Sequence, residues 1–226
     1  TSTYHYTVAR IDAATGVESA AASPVSVTNN LYVSGNMNVV LWDNAGPGTE
    51  YMVYKWGAGM YGFIGRTAQS QFTDDNIAPD MSRTPVRWDP VFSGANNYPS
   101  AVTYYEQRRV FGGTIAQPQN IWMTRSGTES DMTYTIPVRD DNRIAFRVAS
   151  RESNAIQHLV PLSELLILTS SAEWKLTSIN TDAITPTSVS VKPQSYIGAN
   201  NVQPIIVNNT VLYATARGGH MQEMSY

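Results

Sequence analysis

The chain has three histidines, and their spacing forms no familiar catalytic or metal-binding pattern. His5, His158 and His220 are far apart in the sequence, and none belongs to an i, i+4 pair or an H-x-H motif. The chain also lacks the Gly-x-Ser-x-Gly turn of serine hydrolases and the Gly-x-x-x-x-Gly-Lys phosphate loop. The sequence therefore predicts a protein that is not an enzyme, with no catalytic residues, metal ligands or cofactors.

Two acidic pairs, Asp74-Asp75 and Asp140-Asp141, are each followed by Asn. A glycosidase needs two carboxylates that converge across a pocket, about 5 to 10 Å apart, and neighbours on one turn do not provide this. Clustered oxygens can also hold Ca²⁺, but the EF-hand spacing with its Gly and distal Glu is absent. The simpler interpretation is a turn in which Asp and Asn side chains bond their own backbone. The sequence leaves ion binding at both pairs open.

The composition limits the classes of protein that need to be considered. The formal net charge of −3 argues against a dedicated nucleic-acid binder, which would carry an excess of Lys and Arg. The absence of cysteine removes disulfides and thiolate metal sites but fixes no compartment. No window approaches the roughly 18 apolar residues of a membrane span, so no membrane anchor is expected. Because the chain opens on Thr1 rather than Met, we expect a processed or excised piece.

Short runs rich in Val, Ile, Thr and Tyr recur between clusters of Gly, Asn, Asp and Pro, and this pattern predicts an all-β protein. The best helical candidate is the 151–160 region, where Ile156, Leu159 and Val160 could share one face in a turn or two of helix. The strand-like runs are residues 4–11, 38–42, 50–56, 61–65, 101–107, 144–150, 165–170 and 204–209.

One supersecondary unit is repeated in the C-terminal part of the chain. An offset of 55 places Val110 on Leu165, and an offset of 46 places Leu165 on Val211. Each unit then reads as an outward strand, a reversal, an apolar central strand, a turn and a return strand. Repeats of about 40 to 50 residues built from antiparallel strands indicate propeller blades. An ordinary meander whose hairpins resemble one another by chance is the alternative.

The repeat predicts a partial β-propeller over residues 100–226, with about three blade-like units of which the last is truncated. Known propellers need roughly four or more blades to close. We therefore expect apolar blade faces or strand edges that a longer chain or neighbouring subunits would cover. Trp122 and Trp174 lie at matching places on the return strands, with Met221 near that place in the third unit. All three are predicted to pack between blades.

Residues 1–80 follow a different pattern, and 81–99 form a Pro-rich stretch that is predicted to be a linker. The first twenty-odd residues resemble the closing strands of a fibronectin type III module, and residues 37–76 resemble its opening strands. Alternation places Tyr51 and Val53 on one face, and with Trp42 they are the predicted sandwich core. The reversed order fits either halves of two tandem sandwiches or one sandwich with altered strand order. We favour a single sandwich.

Short features occur along residues 98–226: Tyr98-Pro99, Gln107-Arg108-Arg109, Gln117-Pro118, Ser126-Gly127, Thr169 to Trp174, Thr185-Pro186, Gln194-Ser195, Gly198 and Pro204. With these features, residues 98–226 resemble the tail nozzle family of short-tailed phages, also called tail tubular protein B. The N-terminal leader, with its segment 73–85, is similar to an insert that such proteins carry. The resemblance implies a structural subunit that forms a homo-oligomeric ring and extends the DNA-ejection channel in the virion tail, after synthesis in the host cytoplasm. It also implies contacts with adjacent tail proteins, transient passage of DNA, no small-molecule substrate, and a longer parent chain.

Arginines outnumber carboxylates between residues 108 and 151 and are the candidate intersubunit or channel-facing residues. Arg143, Arg147 and Arg151 are spaced by four, so they fall on one side of a strand. Their guanidinium groups could bond carboxylates of an adjacent subunit or contact DNA phosphates, and a solvated strand face is the alternative. We favour pairing between subunits, because a channel for rapid DNA passage should not hold phosphates tightly. Arg108 and Arg109 complete the candidate set.

Two further functions remain open at this point. The thirteen tyrosines and the tryptophans could form aromatic platforms of a glycan-binding module on a phage or surface protein. An exposed pair at Trp122 and Trp174 would favour that alternative. A propeller hydrolase would need a pocket with converging carboxylates, which the sequence does not provide.

Overall fold

The computed structural model describes residues 1–149 and 154–225, and this part of the chain contains strands but no helix. Strands account for 46 % of the residues and form several antiparallel sheets, which confirms the prediction of an all-β protein. No helix in the described ranges is long and apolar enough to cross a membrane. The chain divides into two compact units. The first comprises Thr1–Trp88 with Tyr134–Val138, and the second comprises Asp89–Thr133 with Arg139–Tyr226.

The first unit contains a four-stranded antiparallel sheet in the order β2-β1-β4-β5 and a two-stranded ribbon, β3-β6. The N-terminal strand β1 pairs with β4, with Tyr6 opposite Lys55 and Arg10 opposite Tyr51. The strands expected to close a sandwich therefore lie in one sheet with strands expected to open it. The strands are β1 (Ser2–Ile11), β2 (Val25–Asn29), β3 (Asn38–Leu41), β4 (Glu50–Gly57), β5 (Met60–Thr67) and β6 (Gln71–Asp74).

Alternation along β4 supplies a buried cluster on each face of the four-stranded sheet. Val53 packs with Tyr6 and with Val40 of the ribbon, which joins the sheet to the ribbon. Met52 and Tyr54 point to the opposite face and form a second cluster. Each face of the sheet therefore carries a buried cluster centred on β1 and β4.

The second unit contains three successive meanders, in which each strand pairs with the next one along the chain. The first sheet has the order β7-β8-β9-β10, the second β11-β12-β13-β14 and the third β15-β16-β17. Their strands are β7 (Ala101–Tyr105), β8 (Arg108–Gly112), β9 (Asn120–Met123), β10 (Ile144–Arg147), β11 (Ile156–Pro161), β12 (Leu165–Thr169), β13 (Glu173–Ser178), β14 (Val189–Ser195), β15 (Ile205–Val207), β16 (Thr210–Ala214) and β17 (Met221–Ser225).

The three sheets stack through two buried clusters that share β12. Leu165 and Ile167 pack with Val110 and other residues of the first sheet. Leu166 and Leu168 point the other way and pack with Val211 of the third sheet. The whole of β12 is buried, as expected for a strand with a sheet on each side.

The ladders correct the predicted repeat by one residue. Val110 faces the second sheet, whereas Leu165 faces back to the first sheet, so the two are not equivalent. The residue pairs that match are Phe111–Trp122, Ile167–Trp174 and Tyr213–Gln222, which require offsets of 56 and 46. The error arises because a purely apolar central strand shows no alternation from which its facing can be read.

Two other segments differ from the sequence-based expectation. The Pro-rich stretch 81–99 divides between the units: residues up to Trp88 belong to the first unit and those from Asp89 to the second. The helix considered for 151–160 is not formed where the structure describes it, since Ile156–Pro161 is strand β11. Leu159 and Val160 lie on opposite faces of that strand and join different clusters.

Candidate intersubunit surface

The first and third sheets each have one face that is turned away from the second sheet. Residues opposite one another in an antiparallel ladder share a face, so the registers identify both surfaces. The outer face of the first sheet comprises Val102, Tyr104, Arg109, Phe111, Trp122, Ala145 and Arg147. The outer face of the third sheet comprises Ile205, Val207, Thr210, Leu212, Met221, Glu223 and Ser225.

Trp122 lies at the centre of the first sheet's outer face and is only 4 % exposed. The ring of Phe92 covers it edge-on, with centroids 5.3 Å apart, and also contacts Phe111 at 5.2 Å. Phe92 comes from the segment that leads into β7. The neighbouring Val102 and Tyr104 on β7 remain exposed, so this face is covered at its centre and open along one side.

Trp174 occupies the equivalent position in the second sheet and is 6 % exposed, within the cluster that joins the first and second sheets. Met221, in contrast, is 61 % exposed and lies on the outer face of the third sheet. Met221 therefore has no sheet packed against it within the described chain. Gln222 is the residue that matches the two tryptophans, and Met221 points the other way.

The outer face of the third sheet is apolar and accessible. Ile205 is 58 % exposed and Val207 is 50 % exposed, although both belong to a strand. Leu212 lies between them and Glu223, its ladder partner on β17. Glu223 is exposed and forms no ion pair with a residue in the described ranges. An apolar strip with one carboxylate therefore covers this face.

Arg108 is not a surface residue, which corrects its assignment as an intersubunit candidate. It is 2 % exposed, and its guanidinium donates hydrogen bonds to four backbone carbonyls. These carbonyls belong to Thr124, Asp140, Asn142 and Ile184. Burial lowers the pKa of Arg108. The residue holds loops around the first sheet together and is unavailable to another subunit.

Arg109, the next residue, lies on the outer face of the first sheet. Its guanidinium donates to the Tyr104 hydroxyl and forms an ion pair with Glu129 at 2.7 Å. The Arg109 side chain is 28 % exposed and that of Glu129 is 72 % exposed. The pair is therefore a surface contact, which stabilises the fold by little and leaves Arg109 accessible to a partner.

The other candidate arginines are separated by the structure. Arg143 precedes β10 and pairs with Asp89, while Arg147 ends β10 and donates to the side-chain oxygen of Gln119. Arg147 borders a cleft of about 380 Å³ lined by residues 116–120. Arg151 lies outside the described residues. The structure thus brings Arg109 and Arg147 to one face and places Arg108 in the interior.

In the first unit, Val53 is fully buried and the Trp42 ring packs against the same cluster. Tyr51 is also buried, and its ring centroid lies 5.2 Å from that of Trp42. Val53 and Trp42 thus belong to the cluster between the four-stranded sheet and the ribbon, and Tyr51 packs on Trp42.

The first acidic pair contains an interaction that sequence reasoning missed. Asp74 is fully buried, and its Oδ2 lies 2.8 Å from Lys55 Nζ and accepts a hydrogen bond from the Tyr6 hydroxyl. Burial opposes ionisation of Asp74, but the hydrogen bonds from Lys55 and Tyr6 outweigh it and hold its pKa below the usual range. Its Oδ1 accepts from the backbone of Asn76 and Ile77, which is the predicted turn chemistry.

The second acidic pair is also engaged in contacts within the protein. Asp141 pairs with Arg125 and Arg139, and the backbone carbonyl of Asp140 accepts from Arg108. Burial opposes ionisation of Asp141, but the Arg125 hydrogen bond outweighs it and lowers the pKa. Among the described residues, no three His, Cys, Asp or Glu side chains come together as a metal site would require.

Sequence reasoning also missed Glu223, Ile205 and Val207 as surface candidates. The alternation of Met221, Gln222, Glu223 and Met224 could have shown which side chains share a face. The direction of that face became clear only from the cluster that Val211 and Met224 form with the second sheet. A scan against protein-family models finds no matching family, and a search of curated proteins finds no relative.

Proposed function

We propose that the chain is a structural part of a phage tail, of the tail nozzle type, within a homo-oligomeric ring that extends the DNA-ejection channel. In this proposal the three stacked sheets of the second unit are blades of a partial β-propeller. The four-stranded sheet and ribbon of the first unit form a fibronectin III-like sandwich. Its closing strands would be β1 and β2, and its opening strands β3 to β6.

The observation that carries the proposal is the exposed apolar outer face of the third sheet. The second sheet has a neighbour on each side, whereas Ile205, Val207 and Met221 of the third sheet remain at least half exposed. A contiguous apolar face of this kind is unusual on a monomer and marks an interaction surface. A subunit that works only in an assembly is expected to carry one.

The environment of the tryptophans supports the structural role over the glycan-binding alternative. A sugar ring stacks on an exposed aromatic face, but Trp122 and Trp174 are both buried. The acidic residues at 74 and 141 are held by cationic side chains of the same unit. They are therefore committed to internal contacts rather than to a pocket for hydrolysis.

Light scattering on this chain and on its full-length parent, combined with negative-stain electron microscopy, tests the proposal. We expect the parent to form a discrete ring with an axial opening wide enough for duplex DNA. A parent that stays a well-behaved monomer over the accessible concentration range would contradict the ring. Glycan-array binding would then be the next measurement.

A further inference from the structure

The three sheets of the second unit stack in one direction. Each sheet presents the residues that match Trp174 to the sheet before it, and the opposite face to the sheet after it. The first sheet follows the same rule, because Trp122 points away from the second sheet. The two outer faces are therefore the two different ends of one stack, and each is the type of face that packs against the other inside it.

From this directionality we infer that the outer face of the third sheet packs on the outer face of the first sheet of a second copy of the chain. The inference rests on the proposed ring, for which it names the contact between subunits. Such a contact is head-to-tail, because different surfaces meet, and contacts of this type generate closed rings when the rotation between copies closes.

Both faces carry exposed apolar side chains that could pack against each other. The third sheet contributes an apolar strip from Ile205, Val207 and Leu212, and the first sheet contributes the exposed Val102 and Tyr104 beside Phe92. Association would remove this apolar surface from water, as stacking already does between the sheets of one chain.

The outer face of the third sheet carries a carboxylate, and that of the first sheet carries two guanidinium groups, one of which also pairs with Glu129. The third sheet carries Glu223, which has no ion-pair partner within the described ranges. The first sheet carries Arg109 and Arg147 on either side of Trp122. Opposite charges on facing patches favour this docking over association of two like faces.

The register identifies Arg109 as the partner of Glu223. Gln222 of one copy and Trp122 of the next occupy equivalent positions of the repeat. When these two positions are placed at the same level, Glu223 falls at the level of Met123 and Met224 at the level of Thr124. Arg109 is hydrogen-bonded to Thr124 through its backbone, so it lies within one residue of that level. Arg147 lies opposite Asn120, which is three residues along β9 from Met123, the level of Glu223. Because each residue advances a strand by about 3.3 Å, Arg109 lies closer than Arg147 to the level of Glu223.

Charge exchange on the 226-residue chain tests the contact by sedimentation velocity. We expect Glu223→Arg and Arg109→Glu each to weaken self-association at least tenfold, and the double variant to restore it. Ile205→Lys should also weaken association. Asp182→Arg and Ile179→Lys make the same changes at exposed sites outside both faces and should have no effect. Circular dichroism and thermal unfolding establish that each variant is folded.

The possible outcomes separate the contact from the function. If the chain self-associates and none of the three face variants changes this, the contact is wrong although a ring remains possible. If the chain is a monomer while its parent forms a ring, the contact between copies is wrong and another part of the parent covers the face. If neither associates, both the contact and the proposed function are wrong.

Discussion

Trp122 and Trp174 occupy the same position in two successive sheets, opposite Phe111 and Ile167 respectively, and both point toward the start of the stack. The neighbour that covers them differs. Trp174 packs against the first sheet, whereas Trp122 packs against the ring of Phe92 from the segment before β7. One position in the repeat is therefore buried by a sheet in one case and by a loop residue in the other.

Truncation of either tryptophan should destabilise the second unit. Both side chains are almost fully buried, so Trp122→Ala and Trp174→Ala should each lower the free energy of unfolding by about 3–5 kcal/mol. Chemical denaturation measures the effect. Trp88→Ala, at a site that is 60 % exposed, is the control and should change stability by no more than about 0.5 kcal/mol. Equal effects for all three variants would show that the assigned burial is wrong.

Arg108 should be far more important for stability than its neighbour Arg109. Arg108→Met leaves four backbone carbonyls without this donor, three of them in buried contacts, so the free energy of unfolding should fall by about 3–5 kcal/mol. Arg109→Met removes only a surface pair, so its effect on the free energy of unfolding should be much smaller. Urea denaturation of the two variants gives the comparison. Similar losses for both would contradict the interior role of Arg108.

The Lys55–Asp74 pair should make stability depend on pH in the acid range. The pKa of Asp74 is lowered in the folded state, so its contribution is complete above the unfolded value, about 4. That contribution is lost as the pH falls through the folded pKa. Asp74→Asn should lower the free energy of unfolding by about 3–5 kcal/mol at pH 7. The difference in stability between this variant and the unsubstituted chain should shrink below pH 4.

Denaturation curves measured at several pH values test this dependence. Asp75→Asn is the matched control, because Asp75 is the exposed neighbour of Asp74 and its loss should leave the pH dependence unchanged. If the unfolding free energies of Asp74→Asn and of the unsubstituted chain differ by the same amount from pH 7 to pH 3, the pair does not govern the acid transition.

Gly198 should not tolerate a side chain. It has φ of +82°, and a Cβ at this position would lie 2.4 Å from the backbone oxygen of Ser170. Its own carbonyl accepts from Ala216, next to the third sheet. Gly198→Ala should therefore lower the free energy of unfolding well beyond the roughly 1 kcal/mol expected from positive φ alone. Thermal unfolding of Gly127→Ala supplies the reference, since a Cβ there meets nothing within 4 Å.

The positions of eight strands, and the pairing of neighbouring strands within the three repeat units, could be predicted from the sequence, whereas the facing of the side chains could not. Each of the eight strand-like runs overlaps a strand, because β-branched and aromatic residues between turn-forming residues are a local signal. The prediction of which β8 side chains face the second sheet was wrong, because Val110 and Phe111 are both apolar. The turn from β8 to β9 spans 113–119, while that from β12 to β13 spans 170–172, so sequence offsets do not preserve register.

The interior polar contacts were also beyond sequence reasoning. Lys55 and Asp74 meet because β4 lies in the sheet and β6 in the ribbon that packs on it. Nothing local in either segment specifies that pairing. Arg108 and Arg109 are chemically identical neighbours, and alternation sends one inward and the other outward. Which of the two arginines faces inward depends on which face of the first sheet is covered by the second sheet.

The burial of β12 on both faces affects how the second unit opens. Its even-numbered and odd-numbered residues belong to different clusters, so separating either outer sheet exposes one half of the strand and loosens its support for the other. Fluctuations should therefore begin at the outer strands and reach β12 only when the whole unit unfolds. The amide protons of Leu165–Leu168 should then be the slowest in the second unit to exchange with solvent.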